Sequence, residues 1–288
     1  MVILKLQGGL GNQLFQYAAY SRLREKFSEA YLDITEYNLP YNDGYRKFLL
    51  NEFNTIELRL MEFYCSRSKK IKSFFKKKRI LMLSSKMKKQ FKFISWIDSR
   101  SFDSNLLEIE DNSYIEGYFL HERFLSKPVK DFTFFSQKIL NDEFVKMHYN
   151  SIINENSVSI HIRRTDYLTN SDYNDICTIN YYTEAMSYIT HKISQPIFYF
   201  FSDDINWVKK TFGTQNNYRF IDNKNDNATV VDLFLMSSCR ANIIANSTYS
   251  WWGAYLNKNK NKIVIRPPRY TNKTNDESLF PPDWTKLN

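Results

Sequence analysis

From residue 157 onward, short β-rich runs alternate with helical stretches, and this alternation limits the possible fold more than any other feature of the chain. Residues 157–163, 197–202, 218–221, 242–245 and 262–265 carry the branched and aromatic side chains of strands. Between them, 180–192, 205–212, 229–238 and 249–257 have the apolar spacing of helices. Antiparallel strands can close through a two-residue turn, whereas parallel strands need a crossover of a dozen or more residues. Strand and helix runs of these lengths therefore predict βαβ units and a parallel sheet. The N-terminal end repeats the theme: a strand at 2–7, the turn Gly8-Gly9-Leu10-Gly11-Asn12, and a helix through Leu14, Phe15, Tyr17, Ala18 and Leu23. Residues 30–33 and 113–119 are further strands, while 37–112 shows little periodicity.

The expectation is an α/β protein of two Rossmann-like, doubly wound domains facing a cleft, 1–150 and 151–288. A chain of 288 residues with 43% hydrophobic residues, including 20 Tyr and 23 Phe, can supply two cores. Cys65, Cys177 and Cys239 are odd in number and lack histidines at ligand spacing, which argues against a disulfide framework or a zinc site and for a reducing compartment. The polar, glycine-rich start leaves no room for a signal peptide, and no apolar run reaches the ~18 residues of a membrane span. A soluble, cytoplasmic protein is expected.

The net charge of +9 is local. Twelve Lys and Arg and no acid fall within 67–92, and removing those twelve charges from +9 leaves −3. Aromatic and aliphatic residues interleave them, so a basic helical insertion lying peripherally on an anionic membrane is one reading. A solvated helical face is another. No nucleic-acid-binding signature accompanies the segment, and a nucleic-acid partner is not expected.

Four polar clusters follow strands. The glycine turn frees backbone N–H groups beside a helix N-terminus, where an anion or sugar can approach without a Cβ in the way, or it is only a tight turn. It lacks the Gly-Lys-Ser/Thr of a P-loop, and Leu14 stands where a dinucleotide fingerprint needs glycine. His161-Ile162-Arg163-Arg164-Thr165-Asp166 ends a strand, which is where parallel sheets place ligands. A guanidinium there suits a diphosphate, and its neighbour would be held by a partner such as Asp166; an Arg–Asp pair that merely ties down a loop is the alternative. Asp203 and Asp204 end another strand, where an acid can receive a guanine edge or cap the following helix. Their adjacency is not the Asp-x-Asp of a metal-binding transferase. Asn246, Ser247, Thr248 and Ser250 form a hydroxyl-rich turn before an aromatic helix whose amides can meet phosphate oxygens.

These four elements in this order resemble glycosyltransferase family 11, the α-1,2-fucosyltransferases, in particular bacterial enzymes of O-antigen and blood-group-like glycan synthesis. The similarity reaches from residue 1 to about 270, dense in the motifs and thin over 37–112. It implies a GT-B fold and inverting transfer from GDP-β-L-fucose to the 2-hydroxyl of a galactose, with no metal or other cofactor. Carried onto this chain, it implies that Arg163 neutralises the leaving phosphate with Arg164 assisting. His161 and Asp203 would meet guanosine, and Asn246, Ser247, Thr248 and Ser250 the diphosphate. Gly9, Gly11, Asn12 and Gln13 would line the fucose and acceptor side. Arg163, Asp166 and Asn12 are thus the candidate catalytic residues. Related α-1,6 enzymes carry a Lys and a Glu as a base system where this chain has Tyr167 and Ser171, so no base transfers. A galactose-ended acceptor on a polyprenyl diphosphate at the inner leaflet would suit the basic segment. The rival readings are another linkage such as α-1,6, another GDP-sugar, and a non-catalytic glycan binder.

Overall fold

The structure, a computed structural model, describes residues 1–38, 46–53, 58–64, 80–96, 108–125, 135–274 and 277–287. The chain divides into two compact units, Met1–Phe134 and Phe135–Asn288.

The first unit is built on a six-stranded parallel sheet. Its strands are β1 (Val2–Lys5), β2 (Ala30–Asp33), β3 (Leu60–Tyr64), β4 (Ile80–Ser84), β5 (Lys92–Trp96) and β6 (Ser113–Gly117), in the order β4-β3-β2-β1-β6-β5. Helix α1 (Leu10–Lys26) has Gly9 at its N-cap and follows Gly8, whose φ of 81° is open to glycine. A Cβ on Gly8 would lie 2.6 Å from Asn12 Nδ2, so a larger residue there would also push the Asn12 side chain aside. One sheet face carries Ile3, Met61, Phe63 and Tyr114 as a buried cluster.

The second unit has β7 (Ser157–Ile162), β8 (Ile197–Ser202), β9 (Tyr218–Phe220), β10 (Ala241–Ile243), β11 (Ile263–Arg266) and β12 (Thr285–Lys286). All are parallel, in the order β12-β11-β10-β7-β8-β9. Read from β9, this is the 3-2-1-4-5-6 order of a Rossmann sheet. The connections are α4 (Ile179–Lys192), α5 (Ile205–Phe212), α6 (Ala228–Ser238) and α7 (Thr248–Tyr255), preceded by α2 (Gln137–Leu140) and α3 (Glu143–Asn154). Side chains of Asp142, Thr178 and Asp204 accept from the first-turn amides of α3, α4 and α5. All six residues of β7 are buried, as expected of a central strand with both faces covered. Trp251 and Trp252 are core residues, Trp251 donating from Nε1 to the Leu279 carbonyl at 2.9 Å. Two parallel α/β units in one chain are the makings of a GT-B architecture.

Two expectations need correction. Residue 150, placed at the division by sequence pattern, lies inside α3. That helix belongs to the second unit because Tyr149 stacks on Phe234 of α6, as Phe135 does edge-on. The described part of the basic segment is not α-helical. Its apolar Ile80–Ser84 run pairs with β3, Lys86, Lys88 and Lys89 lie on a 3-10 turn at Ser85–Gln90, and Lys92 opens β5. Consecutive apolar residues suit a strand in a parallel sheet better than a one-faced helix. Residues 67–79, with eight of the twelve charges, lie outside the described residues. Among the described residues no helix is long and apolar enough to cross a membrane.

Candidate active site

In the second sheet the chain leaves β7 toward β8 on one side and leaves β10 toward β11 on the other. Loops diverging from neighbouring strand ends open a crevice, and ligands of open α/β sheets bind at this switch point. The loop after β7 carries Arg163, Arg164 and Asp166, and the loop after β10 carries Asn246, Ser247 and Thr248. Two sequence motifs separated by about eighty residues are thus joined by strand order alone.

Carboxylates hold the β7 loop. Arg163 donates from Nε to Asp166 Oδ1 at 2.8 Å, and its terminal nitrogen lies 3.3 Å from Asp203 Oδ2. Burial alone would lower the Arg163 pKa, but the Asp166 bond and the Asp203 charge outweigh it and raise it above the usual guanidinium value. Arg164 donates to Asp204 Oδ2 at 3.2 Å and lies with its guanidinium carbon 3.5 Å from the centre of the Trp207 ring. Asp203 also receives the Arg164 amide at 2.9 Å, the Thr165 amide at 3.2 Å and the Thr165 hydroxyl at 2.5 Å. Asp204 caps α5 by accepting from the Trp207 amide. The loop-tying reading of the Arg–Asp cluster is seen, with Asp166 pairing Arg163 and Asp204, not Asp166, holding Arg164. Arg164 is braced, and Arg163, about one-third exposed, is oriented by two acids while part of its donor fork stays open.

Asp203 was expected at guanine, yet both its oxygens already serve this loop. A further acid of this unit is Asp232 on α6. Its carboxyl receives Asn223 Nδ2 at 3.2 Å, and burial pushes its pKa up to about 7. Asp232 acts electrostatically on Tyr249, whose ring packs edge-on against His161 with centroids 5.2 Å apart. His161 is itself buried, its Nδ1 has no hydrogen-bond partner, and its pKa is lowered to about 4, first by burial and then by the Arg163 charge against the opposing pull of Asp203. No sequence signal marked Asp232, because a single acid on an apolar helix face has no motif of its own.

The β10 loop behaves differently from expectation at Asn246 and Ser250. The Asn246 amide donates to the carbonyls of Tyr173 and Tyr270 at 3.1 and 3.2 Å and accepts from Cys177 Sγ at 3.4 Å. Ser250 Oγ accepts the Ala245 amide at 2.9 Å. These two side chains shape the turn. Ser247 and Thr248, at the start of α7, are the hydroxyls placed beside its N-terminal amides. Tyr167 donates to the Asn246 carbonyl at 3.2 Å and stacks on Tyr173, tying the β7 and β10 loops together.

The glycine turn belongs to the first unit and is described by itself. Gln13, expected on the sugar side, is fully buried. Its amide donates to the carbonyls of Gly8 and Lys47 at 3.2 and 2.8 Å, and its oxygen accepts the Leu49 amide at 2.9 Å. Tyr37 also donates to the Gly8 carbonyl, at 2.9 Å. Gly11 is buried, while Gly9 and Asn12 are partly exposed and remain the groups a ligand can reach.

Residues 1–288 match the family Glycosyl transferase family 11. The chain is 31% identical to the O-antigen biosynthesis glycosyltransferase WbnK of Escherichia coli, over 98% of this chain and 99% of that protein. It is 32% identical to an alpha-1,2-colitosyltransferase of Escherichia coli, over 100% of this chain and 99% of that one. A galactoside 2-alpha-L-fucosyltransferase of Caenorhabditis elegans is 33% identical over 44% of this chain and 39% of its own length.

Proposed function

The chain belongs to glycosyltransferase family 11, and from that premise we propose that this glycosyltransferase moves L-fucose from GDP-β-L-fucose to the 2-hydroxyl of a terminal galactose, with inversion and without a metal ion. The observation that carries the reading is the Arg163 guanidinium held by Asp166 and Asp203 at the β7/β10 switch point. The acceptor oxygen bonds to the anomeric carbon as that carbon's bond to the β-phosphate oxygen breaks, so β becomes α and GDP departs. The acceptor proton passes to solvent water late in the step. Charge grows on the β-phosphate as GDP leaves, and a fixed cation with aligned amides stabilises that charge without reorganising. Arg163 and the N-terminal amides of α7 supply this field, Ser247 and Thr248 adding hydroxyl donors. Asp166 orients Arg163, which is a different task from deprotonating the acceptor. His161 and Asp232 form the nucleobase side, since a carboxylate can take the paired N–H donors of guanine. Asn12 and Gly9 face the transferred sugar.

The O-antigen enzyme among the relatives supports a bacterial polysaccharide acceptor, and a galactose-ended chain on a polyprenyl diphosphate fits a protein that works at the cytoplasmic side of a membrane. The colitosyltransferase supports a second reading with GDP-colitose as donor, colitose being fucose without its 3-hydroxyl. Incubation with either GDP-sugar and the galactosides Galβ1-3GalNAc and Galβ1-4Glc, in EDTA, tests both. The expected result is GDP release with GDP-fucose and an α-1,2 linkage by NMR. Turnover with GDP-colitose alone, another linkage, or loss of activity in EDTA would each overturn its part of the proposal.

A further inference from the structure

The carboxyl end of the first sheet holds a polar surface that the proposed chemistry does not use. Lys5, at the end of β1, reaches Glu116 of β6 at 2.8 Å and Glu36 at 3.2 Å. Buried Asp33, at the end of β2, accepts the Tyr114 hydroxyl at 2.6 Å and both the amide and hydroxyl of Thr35. The Lys88 ammonium lies 4.0 Å from the centre of the Tyr114 ring and 5.5 Å from that of Phe63. Those rings and the charges of Asp33, Lys5 and Glu116 are its surroundings; among the described residues no acceptor lies within hydrogen-bond reach of its three N–H groups. Beside Tyr114, nearly parallel to it with ring centroids 6.0 Å apart and one same-face row back from Glu116, the Phe93 ring is 58% exposed on edge strand β5.

A half-buried ammonium with unfilled donors, carboxylates with lone pairs to share and a bare aromatic ring are complementary to a pyranose. Its hydroxyls both give and accept hydrogen bonds, and its C–H face packs on a ring. Lys5 and Lys88 lie among the carboxylates of Asp33, Glu36 and Glu116, so donors and acceptors alternate across the surface as the hydroxyls of a neutral sugar require. The surface adjoins the glycine turn, because Tyr37, next to Glu36, bonds the Gly8 carbonyl and Lys5 precedes that turn.

We propose that Lys5, Glu36, Lys88, Phe93 and Glu116 form an acceptor subsite for a neutral sugar beyond the reacting galactose, with Phe93 as its stacking platform and Lys88 as its donor. The inference rests on the proposed fucosyl transfer. Its test compares methyl β-galactoside, which has one sugar, with Galβ1-3GalNAc, which has two, in wild type, Phe93→Ala and Lys88→Met. Each substitution is expected to raise KM for the disaccharide about 10-fold, with KM for the monosaccharide and for GDP-fucose unchanged. An unmoved disaccharide KM overturns the subsite, and so does a parallel loss for both acceptors and donor, which marks a structural role. If wild type transfers to neither acceptor, the functional reading fails. Saturation-transfer NMR of Galβ1-3GalNAc then decides the subsite separately: contact that Phe93→Ala weakens supports it, and no contact in wild type refutes it.

Discussion

The two sheets fix the polar turns after their strands by opposite means. In the second unit an arginine loop is held by carboxylates, with Asp203 alone receiving donors from Arg163, Arg164 and Thr165. In the first unit the glycine turn is held by neutral amides: Gln13 bonds three backbone groups, and Gln16 accepts the Gln7 amide while donating to the Gly117 carbonyl. A diphosphate demands fixed positive charge, and a cation removed from water keeps its charge only with acids around it. A turn facing an uncharged sugar needs only its backbone groups satisfied, and side-chain amides do that without a net field. The bracing chemistry thus mirrors the charge of the ligand proposed for each side.

Substitutions can break this contrast. Arg163→Ala removes the charge proposed to stabilise the leaving group and should lower kcat by about 10²–10³-fold, with Arg163→Lys restoring only part, because a point charge cannot reproduce the fork. Steady-state release of GDP measures it, and full activity in Arg163→Ala would take this residue out of the chemistry. Gln13→Ala removes the side-chain partner of the Lys47 carbonyl and the Leu49 amide, the Gly8 carbonyl keeping Tyr37, and should cost about 2–3 kcal/mol of stability in urea unfolding, leaving GDP affinity in the second unit intact. A drop in GDP affinity without a change in stability would reverse the assignment of this residue to bracing. Asp203→Asn keeps the shape of the second brace but removes its charge. It should weaken GDP binding and turnover together by about 10-fold.

The smallest effect is electrostatic. Asp232 keeps its proton to about pH 7 when folded, whereas an unfolded aspartate releases it near about 4. The folded protein therefore binds the extra proton in that window, and stability falls as pH rises from about 4 to 7. Asp232→Asn should flatten this decline in a Tm–pH profile, while in wild type GDP affinity should rise as pH passes 7 and the carboxylate forms. An unchanged Tm slope would show that the carboxyl is not desolvated.

The same contrast explains what could be read from the sequence. The second unit was legible because its strands end in contiguous motifs: residues 197–202 and 205–212 coincide with β8 and α5 to the residue. The placement of Arg163, Ser247 and Thr248 after β7 and β10 was legible too, since a polar run after an apolar strand marks the carboxyl edge of a sheet. The roles of Asn246, Asp203 and Gln13 were less legible. Their side-chain partners lie on segments distant in sequence, and a polar residue inside a motif looks alike whether it points at a ligand or at a carbonyl. The first unit's β4 and β5 went unseen because lysines around short apolar runs mask a strand period, and the 3-10 turn carrying Lys88 imitates a basic helix; in β3, Glu62 interrupts the apolar run.

The central claim is that a braced guanidinium at the β7/β10 switch point takes the place of a divalent ion. Calorimetric titration of GDP in excess EDTA into wild type and Arg163→Ala tests it most directly. The account predicts undiminished binding by wild type and affinity lowered about 100-fold in the variant. Binding by wild type that requires added magnesium, or binding indifferent to Arg163, would contradict it.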